Sequence, residues 1–226
     1  IAEIIGKKNQ KKFFKKIGFD EPVDIELIEA TKPFGQPYNW GKMETMTIGY
    51  GHGFAITPMH LAVAYSAILN KGRKTNPKIN LKSKKEKNTQ IIKKETSDYI
   101  AFLLRAVINE TEYTGPRVKI EGYDIGGKTG TAELLNSNGN YDSDLNRTIF
   151  IGAFPMKDPQ YLILTFLDKP KRKKESDSIT SATVNAPLVK NIILRMIEIL
   201  KLPKKNNVKI LNAATSINHN HINVIN

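Results

Sequence analysis

Lys128-Thr129-Gly130-Thr131 gathers an ammonium, two hydroxyls and a stretch of bare backbone into four residues. In an extended segment side chains repeat every two residues, so Thr129 and Thr131 share a face. Two hydroxyls so placed can grip the oxygens of a terminal carboxylate. The Lys128 ammonium lowers the cost of bringing that anion into a groove and favours the deprotonated form of a nearby nucleophile. Gly130 has no side chain, so a ligand can lie directly on the strand backbone. The Thr131 amide is then available as one donor to an oxyanion. Lys128 and Thr131 are therefore the candidate catalytic residues, and Thr129, Gly130 and Thr131 the candidate substrate-binding ones.

The same residues fit a second chemistry. Gly122-Tyr123-Asp124-Ile125-Gly126-Gly127-Lys128-Thr129 matches the phosphate loop G-x-x-x-x-G-K-[ST]. Leu162 to Leu167 followed by Asp168 imitates an apolar strand ending in a magnesium carboxylate. Context opposes this reading. A phosphate loop follows a buried strand and opens directly into a helix, whereas Arg117 to Glu121 is alternating and charged. Another glycine follows Thr129, and the turn-forming run Asn136-Ser137-Asn138-Gly139-Asn140 comes too soon for a full helix. No βαβ alternation follows.

The elements that must position the tetrapeptide can be read from periodicity. Ile125 to Leu135, Thr148 to Phe154 and Tyr161 to Leu167 are three extended segments joined by short turns, which predicts an antiparallel meander. Upstream, Ile4, Ile5, Phe13, Phe14 and Ile17 fit one face of a helix that stops at Gly18. Val23, Ile25 and Leu27 alternate as a short strand, and Lys32 to Trp40 reads as a loop. Thr57-Pro58 starts a helix carrying Leu61, Ala64, Tyr65 and Ile68, closed by Gly72. A further helix begins near Thr96 or Ser97 and ends before Gly115-Pro116, and a last one starts near Ala186-Pro187 and ends about Leu200. Residues 1–203 form the folded portion and 204–226 a frayed tail rich in Asn and Lys.

Composition narrows the function classes. The chain of 226 residues is long enough to bury a sizeable core. It contains no cysteine, which excludes disulfides, thiolate metal sites and a cysteine nucleophile. The net charge of +13 would suit an acidic partner, but arginine stands only at 73, 105, 117, 147, 172 and 195, so lysine supplies nearly all of the 35 basic residues. The lysine clusters hold few aromatics, which argues for solvated faces and against a nucleic-acid partner. His219 and His221 lack further ligands in a defined element, so no metal is expected. Tyr38 and Trp40, beside Pro37, are expected to plug the core.

Four stretches resemble the transpeptidase domain of class B penicillin-binding proteins, with cell-division peptidoglycan transpeptidases of α-proteobacteria the nearest likeness. They are Met46 to Pro58, with its Gly51-His52-Gly53 and Thr57-Pro58; Gly122 to Glu133, with Lys-Thr-Gly; Phe150 to Pro155 with Asp158 to Tyr161; and Leu167 to Pro170 with Ala186-Pro187. The resemblance covers residues 1 to about 200. It implies an α/β (α+β) transpeptidase fold, an antiparallel sheet flanked by helices, here truncated at its N-terminus. It implies acylation of a serine by a stem peptide ending in D-Ala-D-Ala, release of D-Ala, attack by a neighbouring stem-peptide amine, and inhibition by β-lactams. It also implies septal wall synthesis, no cofactor, an inner-membrane protein with its catalytic domain on the periplasmic side, and cell-division membrane proteins as partners through N-terminal regions outside this chain. By resemblance His52 lies near the cleft as a candidate substrate-binding residue.

Two family motifs do not occur. No serine has a lysine three residues later, and the only Ser-x-Asn is Ser216-Ile217-Asn218, in the tail and after the Lys-Thr-Gly motif. The expectation is that this chain holds no nucleophile and is inactive alone. The alternatives are a non-catalytic wall-peptide-binding module and a nucleotide-binding protein.

Overall fold

A computed structural model describes residues 1–80, 82, 88–172 and 178–204. The elements run α1 (Ala2–Ile17), α2 (Lys42–Ile48), α3 (Pro58–Leu69), β1 (Arg73–Lys74), β2 (Thr89–Gln90), α4 (Lys94–Asn109), α5 (Gly115–Val118), β3 (Gly126–Leu135), β4 (Tyr141–Phe154), β5 (Tyr161–Asp168) and α6 (Ser181–Leu200). The fold is mixed α/β, and its principal sheet is antiparallel in the order β3-β4-β5. Beyond Lys204 the expected tail, with His219, His221 and the Ser216–Asn218 tripeptide, lies outside the described residues.

The meander forms on the expected runs, but β4 begins at Tyr141 and not at Thr148, because the ladder with β3 continues through Leu134–Asp142 and Leu135–Tyr141. Asn136 Oδ1 accepts from the amides of Asn138 and Asn140 at 3.0 and 3.1 Å, a side-chain turn that reverses β3 into β4. Register pairs Lys128 with Ile151, Thr129 with Phe150 and Thr131 with Thr148. Paired residues project to the same face. One face thus carries Phe150, Phe154 and Ile163 against Ala186, Val189 and Ile193 of α6. The other carries Ala153 and Leu162 against Tyr65 and Leu69 of α3 and Ile100, Ala101 and Leu104 of α4.

A second cluster gathers Ile17, Phe19, Ala64, Ala67 and Ile91, with Phe14, Phe54 and Ile56 packed on it. Trp40 is buried beside it and donates Nε1–H to Thr45 Oγ1 at 3.0 Å, while Gln10 Nε2 donates to Thr45 O at 3.0 Å and seats α1 on α2. Among the described residues no helix is long and apolar enough to cross a membrane.

The structure corrects several expectations. Val23 to Leu27 is not a strand; its amides have no sheet partner, and Asp24 and Glu26 instead accept from Asn76 Nδ2 and the Ile79 amide. Gly6, at φ 72° and ψ 158°, breaks α1, so Ile4 and Ile5 leave the expected face and lie exposed, as does Phe13. Tyr38 is fully exposed. The last helix begins at Ser181, ahead of Pro187, which sits inside it. A proline past the first turn removes one amide donor. The reciprocal bonds between Thr180 and Thr183 fix the earlier start, with Thr183 N to Thr180 Oγ1 at 3.3 Å and Thr180 N to Thr183 Oγ1 at 3.0 Å. Helix α4 likewise starts at Lys94, slightly before the expected Thr96.

Candidate active site

Strand β3 forms one border of the sheet. Its edge facing away from β4 has no partner strand among the described elements. Lys128 is exposed there, and its Nζ donates to the Thr129 carbonyl at 3.0 Å. The space between paired strands is too narrow for an ammonium, so this carbonyl points to the open edge. In an antiparallel strand the amide and carbonyl of one residue point to the same side, and residues two apart repeat that direction. The Thr131 amide therefore also faces the open edge, where an oxyanion can reach it.

The two faces of β3 have different roles. Lys128 and Gly130 project to the α3/α4 side, in rows with Ile151 and Ile149. A Cβ on Gly130 would lie 2.9 Å from Ile149 Cγ2, so the absence of a side chain serves packing as well as ligand approach. Thr129 and Thr131 project to the α6 side. Thr131 Oγ1 accepts from the Ser181 amide at 3.0 Å, and Ser181 Oγ donates to the Ile149 carbonyl at 2.6 Å. The Gly126-Gly127 pair preceding the motif packs the strand closely. A Cβ on Gly127 would meet Phe150 Cζ at 2.7 Å, and one on the paired Gly152 would meet Phe150 Cε1 at 2.7 Å. These glycines let the Phe150 ring lie across the ladder; they cradle no phosphate. Lys128 is followed by strand, not by a helix N-terminus, and the phosphate-loop reading fails on that geometry.

The structure thus brings Lys128, Thr129, Gly130 and Thr131 onto one open strand. His52 stands in the exposed turn after α2, where its amide donates to Thr47 O at 3.0 Å. No hydrogen bond joins it to β3 among the described residues. Among those residues no cluster of three His, Asp or Glu could hold a metal ion.

Ser181, Thr148, Thr165 and Asn185 form a buried polar seam beneath Thr131 that the sequence reading missed. Asn185 Nδ2 donates to the Thr165 carbonyl at 3.1 Å and to Thr165 Oγ1 at 3.0 Å. The Thr180-Ser181-Ala182-Thr183 cap pattern was the available signal.

The penicillin binding protein transpeptidase domain family matches residues 1–193. The chain belongs to this family. Stage V sporulation protein D of Bacillus subtilis is 31% identical over 223 residues, covering 92% of this chain and 33% of that protein. The probable peptidoglycan D,D-transpeptidase FtsI of Caulobacter vibrioides is 28% identical over 219 residues, covering 91% and 36%. Penicillin-binding protein 3 from Mycobacterium tuberculosis, complexed with ampicillin, superposes with a TM-score of 0.79 at 24% identity, covering 92% of this chain and 49% of that one. The last likeness speaks to the fold. The chain spans about a third of the length of these curated relatives.

Proposed function

We propose that β3 is the carboxylate-gripping and oxyanion-binding wall of a peptidoglycan D,D-transpeptidase site. The observation that carries this reading is the exposed edge of Lys128 to Thr131, with ammonium, hydroxyls and the Thr131 amide grouped on one strand. Family membership and relatives named as peptidoglycan D,D-transpeptidases support it. In the whole enzyme a serine Oγ attacks the carbonyl carbon of the penultimate D-Ala of a stem peptide. The Thr131 amide stabilises the oxyanion, the C–N bond breaks, and D-Ala leaves with a proton. The amine of a second stem peptide then attacks the ester, forming the cross-link and freeing the serine. Lys128 and the Thr129 and Thr131 hydroxyls hold the terminal carboxylate. Ampicillin and other β-lactams, which carry a carboxylate beside a reactive carbonyl, fit the same wall.

The serine is not among these 226 residues in a Ser-x-x-Lys setting, so the chain alone forms no acyl adduct. Labelling with a fluorescent penicillin is expected to leave no serine-linked adduct, and a stoichiometric one would sink that part of the reading. The wall itself is tested by NMR titration with diacetyl-Lys-D-Ala-D-Ala and its C-terminal amide. The acid form should shift the amides of residues 128–131, and Lys128→Ala should weaken it about tenfold, the effect of losing one charge-assisted hydrogen bond. Equal binding of acid and amide forms would refute a carboxylate grip. We further assign the whole protein to septal wall synthesis at the periplasmic face of the inner membrane, with division proteins as partners. Localisation of the tagged full-length protein at the division septum checks this.

A further inference from the structure

We propose that the backbone amide of Ser181 is the positioning group that makes the Thr131 hydroxyl a hydrogen-bond donor to the substrate. The proposal rests on reading β3 as the carboxylate-binding wall and deepens it.

A threonine hydroxyl has one proton and two lone pairs and rotates to suit its partners. Here one lone pair is taken. The Ser181 amide donates to Thr131 Oγ1 at 3.0 Å, and an amide N–H cannot accept in return. The Thr131 proton is therefore directed away from α6. Ser181 is the first residue of a 20-residue helix, so its amide has no partner within the helix and carries part of the positive helix end. That charge repels the hydroxyl proton and reinforces its direction. A carboxylate only accepts hydrogen bonds, so a hydroxyl set in advance as a donor matches it. A carboxamide can place an NH2 group against the same proton and is disfavoured.

The reference frame is rigid. Ser181 Oγ donates to the Ile149 carbonyl of β4 at 2.6 Å. One turn later Asn185 is tied to β5 through Thr165. Ser181 and Asn185 are both fully buried. The Thr131 hydroxyl is thus held by α6, which is itself anchored to β4 and β5. Thr129 lacks this arrangement: among the described residues its hydroxyl has no hydrogen-bond partner. The two hydroxyls that share a face differ in kind, with Thr131 preset and Thr129 adaptable.

The test uses the 15N-labelled chain, titrated with diacetyl-Lys-D-Ala-D-Ala in acid and C-terminal amide forms. Wild type is compared with Ser181→Ala, Ser181→Pro, Thr131→Ser and Thr131→Val. Ser181→Pro removes the donor while respecting the local backbone. Proline is favoured at the first helical position, and Thr180 already has the extended conformation, φ −124° and ψ 160°, that a residue before proline requires. Thr131→Ser and Ser181→Ala keep the hydroxyl and the amide, so acid-form affinity should hold within about threefold. Ser181→Pro and Thr131→Val should weaken it about tenfold and narrow the preference for acid over amide. Ser181→Pro binding the acid as tightly as Ser181→Ala overturns the proposal. A second readout needs no ligand and covers the case in which Ser181→Pro fails to fold. In Thr131→Val the Ser181 amide proton should move upfield and exchange faster, and an unchanged resonance overturns the proposal too. If wild type ignores the peptide while the Ser181 amide still responds to Thr131→Val, the carboxylate reading is what falls.

Discussion

Lys128 and Thr131 address the same ligand-binding edge from opposite faces of β3. Strand alternation made the shared face of Thr129 and Thr131 legible before any coordinates. It could not reveal that Ser181, 50 positions later, holds one of those hydroxyls, because pattern reading sees local periodicity and not which helix returns to which strand. The same limit hid Asn185, a fully buried amide inside an apolar helix. Asn185→Ala strips the Thr165 hydroxyl and carbonyl of a shared donor, and should cost roughly 2 kcal/mol in urea unfolding. Glu44 gives a pH-dependent counterpart. Its carboxylate accepts from its own amide and from that of Gly41, which holds its pKa below the ordinary glutamate range. A depressed carboxyl pKa stabilises the fold fully above the unfolded-state pKa, and that contribution disappears as pH falls through the folded value. An NMR titration should place the Glu44 midpoint below that of an unfolded peptide, and Glu44→Gln should remove this acid-side dependence.

At the level of elements, the sheet was easier to read than the helices. Three apolar runs separated by asparagine-rich or proline-containing turns can form little except a meander, and β3, β4 and β5 cover those runs, although β4 extends back through the polar residues from Tyr141. Helix boundaries depended on caps. Thr57 accepts from the His60 amide and starts α3 as its residue type predicts. Pro187 misled by suggesting a first-turn position, whereas the Thr180–Thr183 capping box starts α6 earlier. Thr180→Ala should therefore destabilise the protein by about 1 kcal/mol, measured by the shift in urea midpoint. Val23 to Leu27 had the right alternation for a strand but no neighbour to pair with, and alternation without a ladder does not make a sheet. Phe150 shows how tightly the elements interlock. It is fully buried across the Gly127–Gly152 pair, and Phe150→Ala should cost roughly 3–5 kcal/mol by thermal or urea denaturation.

For the whole molecule, the +13 charge is the dominant global property. Six lysines lie between Lys7 and Lys16 on α1, and none of them forms a salt bridge among the described residues. Self-repulsion of this kind opposes compactness and is screened by ions. The urea midpoint should rise as salt increases from about 20 mM to about 200 mM. Charge also bears on how separate copies meet. A sheet border with free amides and carbonyls is a template for another chain, and proteins commonly guard such borders with lysine. By resting its ammonium on the Thr129 carbonyl, Lys128 covers one of those acceptors until a ligand draws the ammonium away. Neutralising Lys128 would then do more than blunt recognition: it would leave a sticky margin, and sedimentation velocity should report more concentration-dependent association for Lys128→Ala than for the unaltered chain.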